Sequence, residues 1–153
     1  MDSIAIYSPL QGKTMPLSKI ADQRFSKEHF GPGVVVLPRK NYVYAPFDGV
    51  LVSVAENRHG LWFRSREGIE LLVHVGLDTV FLNGECFSTM VEPGTSVSCG
   101  QAVLEFDRKQ IRRKGFSTAT PIVITNSGLP GRLHITKRRY VSPETMLMYI
   151  SCS

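Results

Sequence analysis

No stretch of this 153-residue chain approaches the run of ~20 apolar residues that a membrane-spanning helix needs. The opening MDSIAIYSPL has neither the basic start nor the apolar core of a secretory leader, and it reaches turn residues by Ser8 and Pro9. Both absences predict a soluble, cytoplasmic protein that does not itself span a membrane. Cysteine is scarce: Cys86, Cys99 and Cys152 are odd in number, widely spaced and free of any CxxC pair, so a disulfide framework or a zinc knuckle is not expected. The four histidines, His29, His59, His74 and His134, show no HxH or HxxxH spacing, which removes the usual local signature of a metal site. Internal repeats and low-complexity linkers are missing as well, so one domain over residues 1–153 is expected.

Long helical periodicity is also lacking. Period-two apolar patterning broken by Gly, Pro, Asn and Asp predicts many short strands instead, among them IAIYSPL, GVVVLPR, YVYAPF, GVLVSVA, GLWFRS, IELLVHVGL, ECFSTMV, SVSCGQAVLEF, TPIVITNS, RLHITK and MLMYI. Two stretches suit very short helices, DTVFLNG and the basic DRKQIRRKG, the latter with an Asp fit to cap its start and Gly115 at its end. The expectation is an all-β antiparallel sandwich or partly closed barrel with one or two very short helices. LSKIADQRFSKEHFGPG has no clean period and reads as a surface loop with a turn of helix. GPG at 31–33 reads as a turn, since no helix follows that would make it a phosphate cradle.

The charge balance is basic, 18 Lys and Arg against 13 Asp and Glu for a net +5, with the excess in DRKQIRRKG and KRRY. Neither run interleaves aromatics of the kind that stack bases, so a solvated face is expected and nucleic acid is not.

The chemistry of interest lies in RHGLWFRSREGIELLVHVG. Two strands flank SREG, and a two-residue loop at Arg66 and Glu67 would set His59 directly opposite His74, with Leu61 and Leu72 on the histidine face and Gly60, Trp62, Leu71, Val73 and Val75 on the other. A three-residue loop with Gly68 in a left-handed bulge would slip the pairing by one and loosen the contact. Two facing imbidazoles are either hydrogen-bonded sheet residues or a functional pair. In the second case the ring nitrogens suit phosphoryl transfer near pH 7, one carrying the group and the other steadying its oxygens. Asp78, four residues beyond His74, would make a metal site only with a third ligand that the sequence does not supply.

At these residues the chain resembles the glucose-type enzyme IIA domains of the bacterial phosphoenolpyruvate-dependent sugar phosphotransferase system. GIELLVHVGLDTVFLNGECF, residues 68–87, is similar to their GVEL-hydrophobic-VHxGxDTVxLxGxGF pattern, and NRHGLWF is similar to a second motif whose histidine stands fifteen residues before the phosphorylated one, the spacing of His59 to His74. SPLQGK, DQRFS, GPGVVVLP, YVYAPFDGVL, CGQAVLEFD and TPIVITN resemble family segments in the same order. The resemblance implies a β-sandwich of the duplicated hybrid type. It also implies a relay in which the histidine phosphocarrier HPr phosphorylates His74, which passes the group to the IIB domain of a sugar permease without metal or other cofactor. His59 would stabilise the phosphoryl group, Asp78 and Val80 would flank the pocket, and Asp22, Phe25 and Leu72 would join the docking rim.

This chain differs from the pattern in placing Asn57 where a Thr often holds the first histidine, GPG where GDG or GEG is common, and Cys86 where the motif has Gly. The Asn57 amide either takes over the ring contact or leaves it unmade. A regulatory docking module switched by phosphorylation of His74 uses the same residues. A zinc peptidase of related fold would need an HxH that is absent.

Overall fold

The computed structural model describes residues 2–126 and 128–152. Among the described residues fourteen strands run in chain order: β1 Asp2–Tyr7, β2 Gly12–Pro16, β3 Gly33–Pro38, β4 Tyr42–Tyr44, β5 Gly49–Val54, β6 Gly60–Ser65, β7 Glu70–His74, β8 Phe87–Thr89, β9 Ser96–Val97, β10 Ala102–Phe106, β11 Thr120–Ile124, β12 Arg132–Ile135, β13 Tyr140–Val141 and β14 Met146–Cys152. Eight of them form one sheet in the order β13-β2-β3-β11-β7-β6-β5-β9, and two three-stranded sheets, β1-β14-β12 and β4-β10-β8, complete the sandwich. Every pairing is antiparallel. The large sheet ends on β13 and β9, which do not pair with each other, so the antiparallel sandwich is met and a closed barrel is not.

The alternating strands of the sequence fall where expected, although Ser127 of TPIVITNS lies outside the described residues. β2 and β13 were not legible: GKTMP mixes Lys, Thr and Pro without alternation, and a two-residue strand has no period at all. The helices are as short as the sequence predicts. α1 covers Gln23–Ser26 and α2 covers Arg108–Arg113, each capped by an aspartate, Asp22 accepting from the Arg24 N–H at 3.0 Å and Asp107 from the Gln110 N–H at 3.0 Å. Single 3₁₀ turns occupy Leu17–Lys19 and Thr79–Leu82. No helix of the described residues is long and apolar enough to cross a membrane.

The two faces of the large sheet bury different clusters. Leu61, Phe63, Leu71, Val73, Val75 and Ile122 join the main core between the sheets. Val35, Leu72 and Val123 face the other way and are covered by the Leu17–Phe25 segment through Leu17, Ile20 and Phe25. The candidate site stands at the edge of this second cluster, which explains why a segment without clean periodicity is ordered: it closes an apolar sheet face.

Cys86 adopts φ 77, a left-handed conformation that favours glycine. Cys86→Gly is therefore expected to stabilise the protein by about 1 kcal/mol and to raise the melting temperature by about 2–4 °C, measured by thermal unfolding. An unchanged or lower melting temperature would mean that the thiol's packing offsets the strain.

Candidate functional site

β6 and β7 form a hairpin whose loop is Arg66, Glu67 and Gly68. Gly68 takes φ 90, the Ser65 N–H donates to the Ile69 carbonyl at 2.9 Å, and the Gly68 N–H donates to the Ser65 carbonyl at 3.0 Å. The three-residue alternative therefore holds, and the register sets Gly60, not His59, opposite His74. The slip corrects the facial assignment. His74 shares its face with Leu72, Trp62 and Gly60, while Leu61 turns to the main core with Leu71, Val73 and Val75.

The histidines meet nonetheless. His59 lies in a turn before β6, closed by the Ala55 N–H donating to the Gly60 carbonyl at 2.8 Å, with Arg58 at φ 64 and the Val75 N–H tying down the His59 carbonyl at 2.7 Å. A turn frees the residue from strict strand alternation, and Gly60 puts no side chain across from His74. The rings approach edge to face with centroids 4.9 Å apart at 81°.

Each ring is held differently. His74 Nδ1 lies 2.7 Å from the Gly76 carbonyl, and because a carbonyl only accepts, this bond puts the proton on Nδ1 and leaves Nε2 with its lone pair. Gly76 takes φ 81 in the turn leaving β7, and Thr79 Oγ1 donates back to the neighbouring Val75 carbonyl at 2.6 Å, which braces the turn that carries the Gly76 carbonyl. The other ring has no such tether: His59 Nδ1 is buried without a hydrogen-bond partner. The Asn57 amide does not serve it, since Nδ2 donates to the Val80 carbonyl at 3.0 Å and ties the His59 turn to the Thr79–Leu82 turn instead.

Burial is the main reason that both imidazoles titrate below their ordinary range. It lowers His59 to about 4, with the neighbouring His74 ring and the Arg24 guanidinium adding to the effect, while the Asn57 backbone opposes it without closing a hydrogen bond. For His74 burial again leads, the Gly76 bond opposes it, and Arg24 lowers it further. At pH 7 the site presents two neutral imidazoles, one with a defined free nitrogen.

The remaining predicted residues divide into a floor and a rim. Phe25 and Leu72 are buried, at 0% and 3% exposure, so neither offers surface to a partner; the Phe25 ring packs against His74 with centroids 5.2 Å apart. That is a correction to the docking rim expected above. Asp78 is exposed at the mouth in a left-handed conformation, φ 59. Exposed apolar side chains on the flanking segments are Phe30, whose ring packs on Phe25, Val80, whose carbonyl takes the Asn57 bond, and, at 70% exposure, Phe81, of which only Val80 had been singled out. Asp22 is half-buried and paired to Arg24. His134 stacks on Tyr149 in the β1-β14-β12 sheet and His29 is exposed, so neither belongs to the pair. Among the described residues no group of three His, Cys, Asp or Glu side chains is arranged to hold a metal ion.

Sequence reasoning missed Arg24, Phe30 and Phe81, which sit in segments without a period that would show which way they point.

Residues 4–129 match the family model for the phosphoenolpyruvate-dependent sugar phosphotransferase system, EIIA 1. The chain is 40% identical over 123 residues to the PTS system glucose-specific EIICBA component of Staphylococcus saprophyticus, covering 80% of this chain and 18% of that protein. It is 41% identical over 122 residues to the PTS system beta-glucoside-specific EIIBCA component of Dickeya chrysanthemi, covering 80% and 19%. The chain thus spans about a fifth of the length of these curated relatives. Among solved structures it is similar to the glucose permease IIA from Mycoplasma capricolum, with a TM-score of 0.91 and 28% identity over 99% of this chain and 97% of that one.

Proposed function

Because the chain belongs to the EIIA 1 family of the phosphoenolpyruvate-dependent sugar phosphotransferase system, we propose that it is a cytoplasmic phosphocarrier whose His74 accepts a phosphoryl group from phospho-HPr and passes it to a permease IIB domain. The observation that carries this reading is the fixed tautomer of His74. With Nδ1–H held by Gly76, the Nε2 lone pair is aimed out of the sheet beside His59 at neutral pH.

In the proposed relay the Nε2 lone pair forms the bond to phosphorus, the donor's nitrogen–phosphorus bond breaks, and the donor imidazole leaves with that electron pair. The transfer needs alignment and charge stabilisation more than covalent help, which is what a rigid hairpin and turn supply. Phe30, Val80 and Phe81 form an exposed apolar rim on which partner proteins would close and exclude water. Asn57 would keep that rim in register with the histidines through the Val80 carbonyl.

The test is reconstitution with phosphoenolpyruvate, enzyme I and HPr, followed by membranes bearing sugar permeases. Label on His74 that moves on to sugar is the expected result; label that stays on the protein favours the regulatory reading, and no label on His74 sinks both. His59→Gln is expected to accept label and to slow onward donation by about 10²-fold, since one group that aligns and steadies the transferring phosphoryl is lost. Onward transfer at the unaltered rate would remove His59 from the mechanism.

A further inference from the structure

A phosphorylated site of this design would lack a cation among its two histidines. A phosphoryl group on nitrogen brings close to two negative charges, and its transfer is helped chiefly by positive groups placed against its oxygens. His59 is neutral at pH 7, so it can donate one N–H but no charge.

The cation nearest to hand lies in the DQRFS segment, outside the two histidine motifs. Arg24, on α1, makes a two-pronged contact with Asp22, Nε to Oδ1 at 3.0 Å and Nη2 to Oδ2 at 2.6 Å, which leaves Nη1 without a protein acceptor among the described residues. Its Cζ sits 5.7 Å from the Phe25 ring centroid and 5.8 Å from that of Phe30. Phe25 is in turn the ring that packs on His74. The guanidinium is therefore fixed on one side by a half-buried carboxylate and on two others by aromatic faces, one aromatic ring away from the acceptor, and it still presents a free edge. Its field reaches the pair: it lowers the pKa of both His59 and His74, and it feels Asp78 at the pocket mouth.

We propose that Arg24 is a phosphoryl-positioning residue of this site, preorganised by Asp22, whose free guanidinium edge meets the oxygens of the group carried on His74. This rests on the reading of His74 as the acceptor, but its test does not need the protein partners. Phosphoramidate phosphorylates imidazole directly: Nε2 bonds to phosphorus, the phosphorus–nitrogen bond of the reagent breaks, and ammonia leaves with the electron pair while Nδ1–H stays on Gly76.

The measurement is the rate of His74 labelling by phosphoramidate between pH 5 and 8, followed by ³¹P NMR, with melting temperature recorded for each variant. Arg24→Gln is expected to slow labelling about tenfold, a loss of about 1.4 kcal/mol of transition-state stabilisation, and to move the pH midpoint upward as the positive field is lost. The groups bearing on His74 in that profile are His59, Arg24 and Asp22. Arg24→Lys, which keeps the charge without the fork, is expected to fall between wild type and Arg24→Gln, and Asp22→Asn to lose part of the rate by releasing the guanidinium. A rate and midpoint for Arg24→Gln within twofold of wild type would overturn the proposal. Equal losses in Arg24→Lys and Arg24→Gln would also overturn it, in favour of packing on Phe25 and Phe30. If phosphoramidate labels His74 but phospho-HPr does not, the relay fails while the Arg24 comparison still decides its own case.

Discussion

His74→Ala is expected to take up no phosphoryl label from phospho-HPr or from phosphoramidate, a loss of about 10³-fold or more, set by the detection limit. The size of the effect follows from the site having one nitrogen prepared for the task. His59 has its Nδ1 buried without a partner, and no carbonyl fixes its tautomer, so it is a poor substitute for a ring whose Nδ1–H is anchored 2.7 Å from Gly76. His134, stacked on Tyr149 and bonded through Nε2 to Ser151, belongs to another sheet. The wild-type pH profile sharpens the test. Only the unprotonated ring has the lone pair, and burial lowers the His74 pKa, so the midpoint of the labelling profile should lie on the acid side of pH 6.5. An exposed imidazole would already be half protonated at about that pH. A half-maximal rate at pH 6.5 or above would mean that the acceptor is not held as described, and acid-labile label on the Ala variant would place the acceptor elsewhere. The melting temperature of the variant should fall modestly, because the lost ring packs on Phe25.

How legible the protein was in its sequence depended on whether a residue's neighbours are local. The alternating strands other than β2 and β13, the helix over DRKQIRRKG with its aspartate cap and the all-β architecture follow from alternation, turn residues and capping within a few positions, and they appear in the fold. The hairpin loop was local too but degenerate: SREG admits two or three loop residues, and only the φ 90 of Gly68 decides between them. That single step moved Leu61 from the histidine face to the core and Trp62 the other way. The pair itself survived the slip because His59 lies in a turn, where strand alternation does not bind it. Phe25 and Leu72 were assigned to a rim through resemblance, and burial at 0% and 3% makes them a floor, since the segment carrying Phe25 folds over the very sheet face that bears Leu72. Arg24 was invisible for a related reason: its partners Asp22 and Phe25 are adjacent in sequence, but its relation to His74 exists only once that segment closes on the sheet.

The Asn57 contact shows how a motif difference is resolved by structure. Its amide spans from the His59 turn to the Val80 carbonyl, so the position supports the rim and not the ring. His59 is consequently a neutral imidazole with one nitrogen sealed in, at a cost of about 1–3 kcal/mol for the missing hydrogen bond, a strain that persists only where surrounding packing holds it. With that ring uncharged, the electrostatic work at the site would fall to Arg24, as proposed above.

Gly76→Ala is expected to damage both the fold and the chemistry. The residue takes φ 81, where an L side chain is strained by about 1–2 kcal/mol, and an added Cβ would stand 2.5 Å from Thr79 Cγ2 and 2.7 Å from the Ser117 carbonyl oxygen. Overpacking of that kind adds about 1–3 kcal/mol, so the sum, about 2–5 kcal/mol, is a large share of an ordinary domain's stability and should lower the melting temperature by about 4–20 °C. The chain must then shift where its carbonyl fixes His74, so Nδ1 loses its acceptor and the proton becomes free to move to Nε2, the nitrogen that attacks in the proposed relay. Phosphoramidate labelling of the folded variant should therefore slow as well, which loss of stability alone would not cause at a temperature below its melting point. A second substitution separates the two contacts. Thr79→Ser removes the methyl that lies closest to the new Cβ while keeping the hydroxyl that donates to Val75, so the double variant should regain part of the melting temperature, and the Ser117 carbonyl sets the part it does not regain. A Gly76→Ala protein that melts within about 1 °C of wild type, less than the ~2–4 °C expected for a single kcal/mol, and labels at the wild-type rate would show that this carbonyl does not hold the His74 ring.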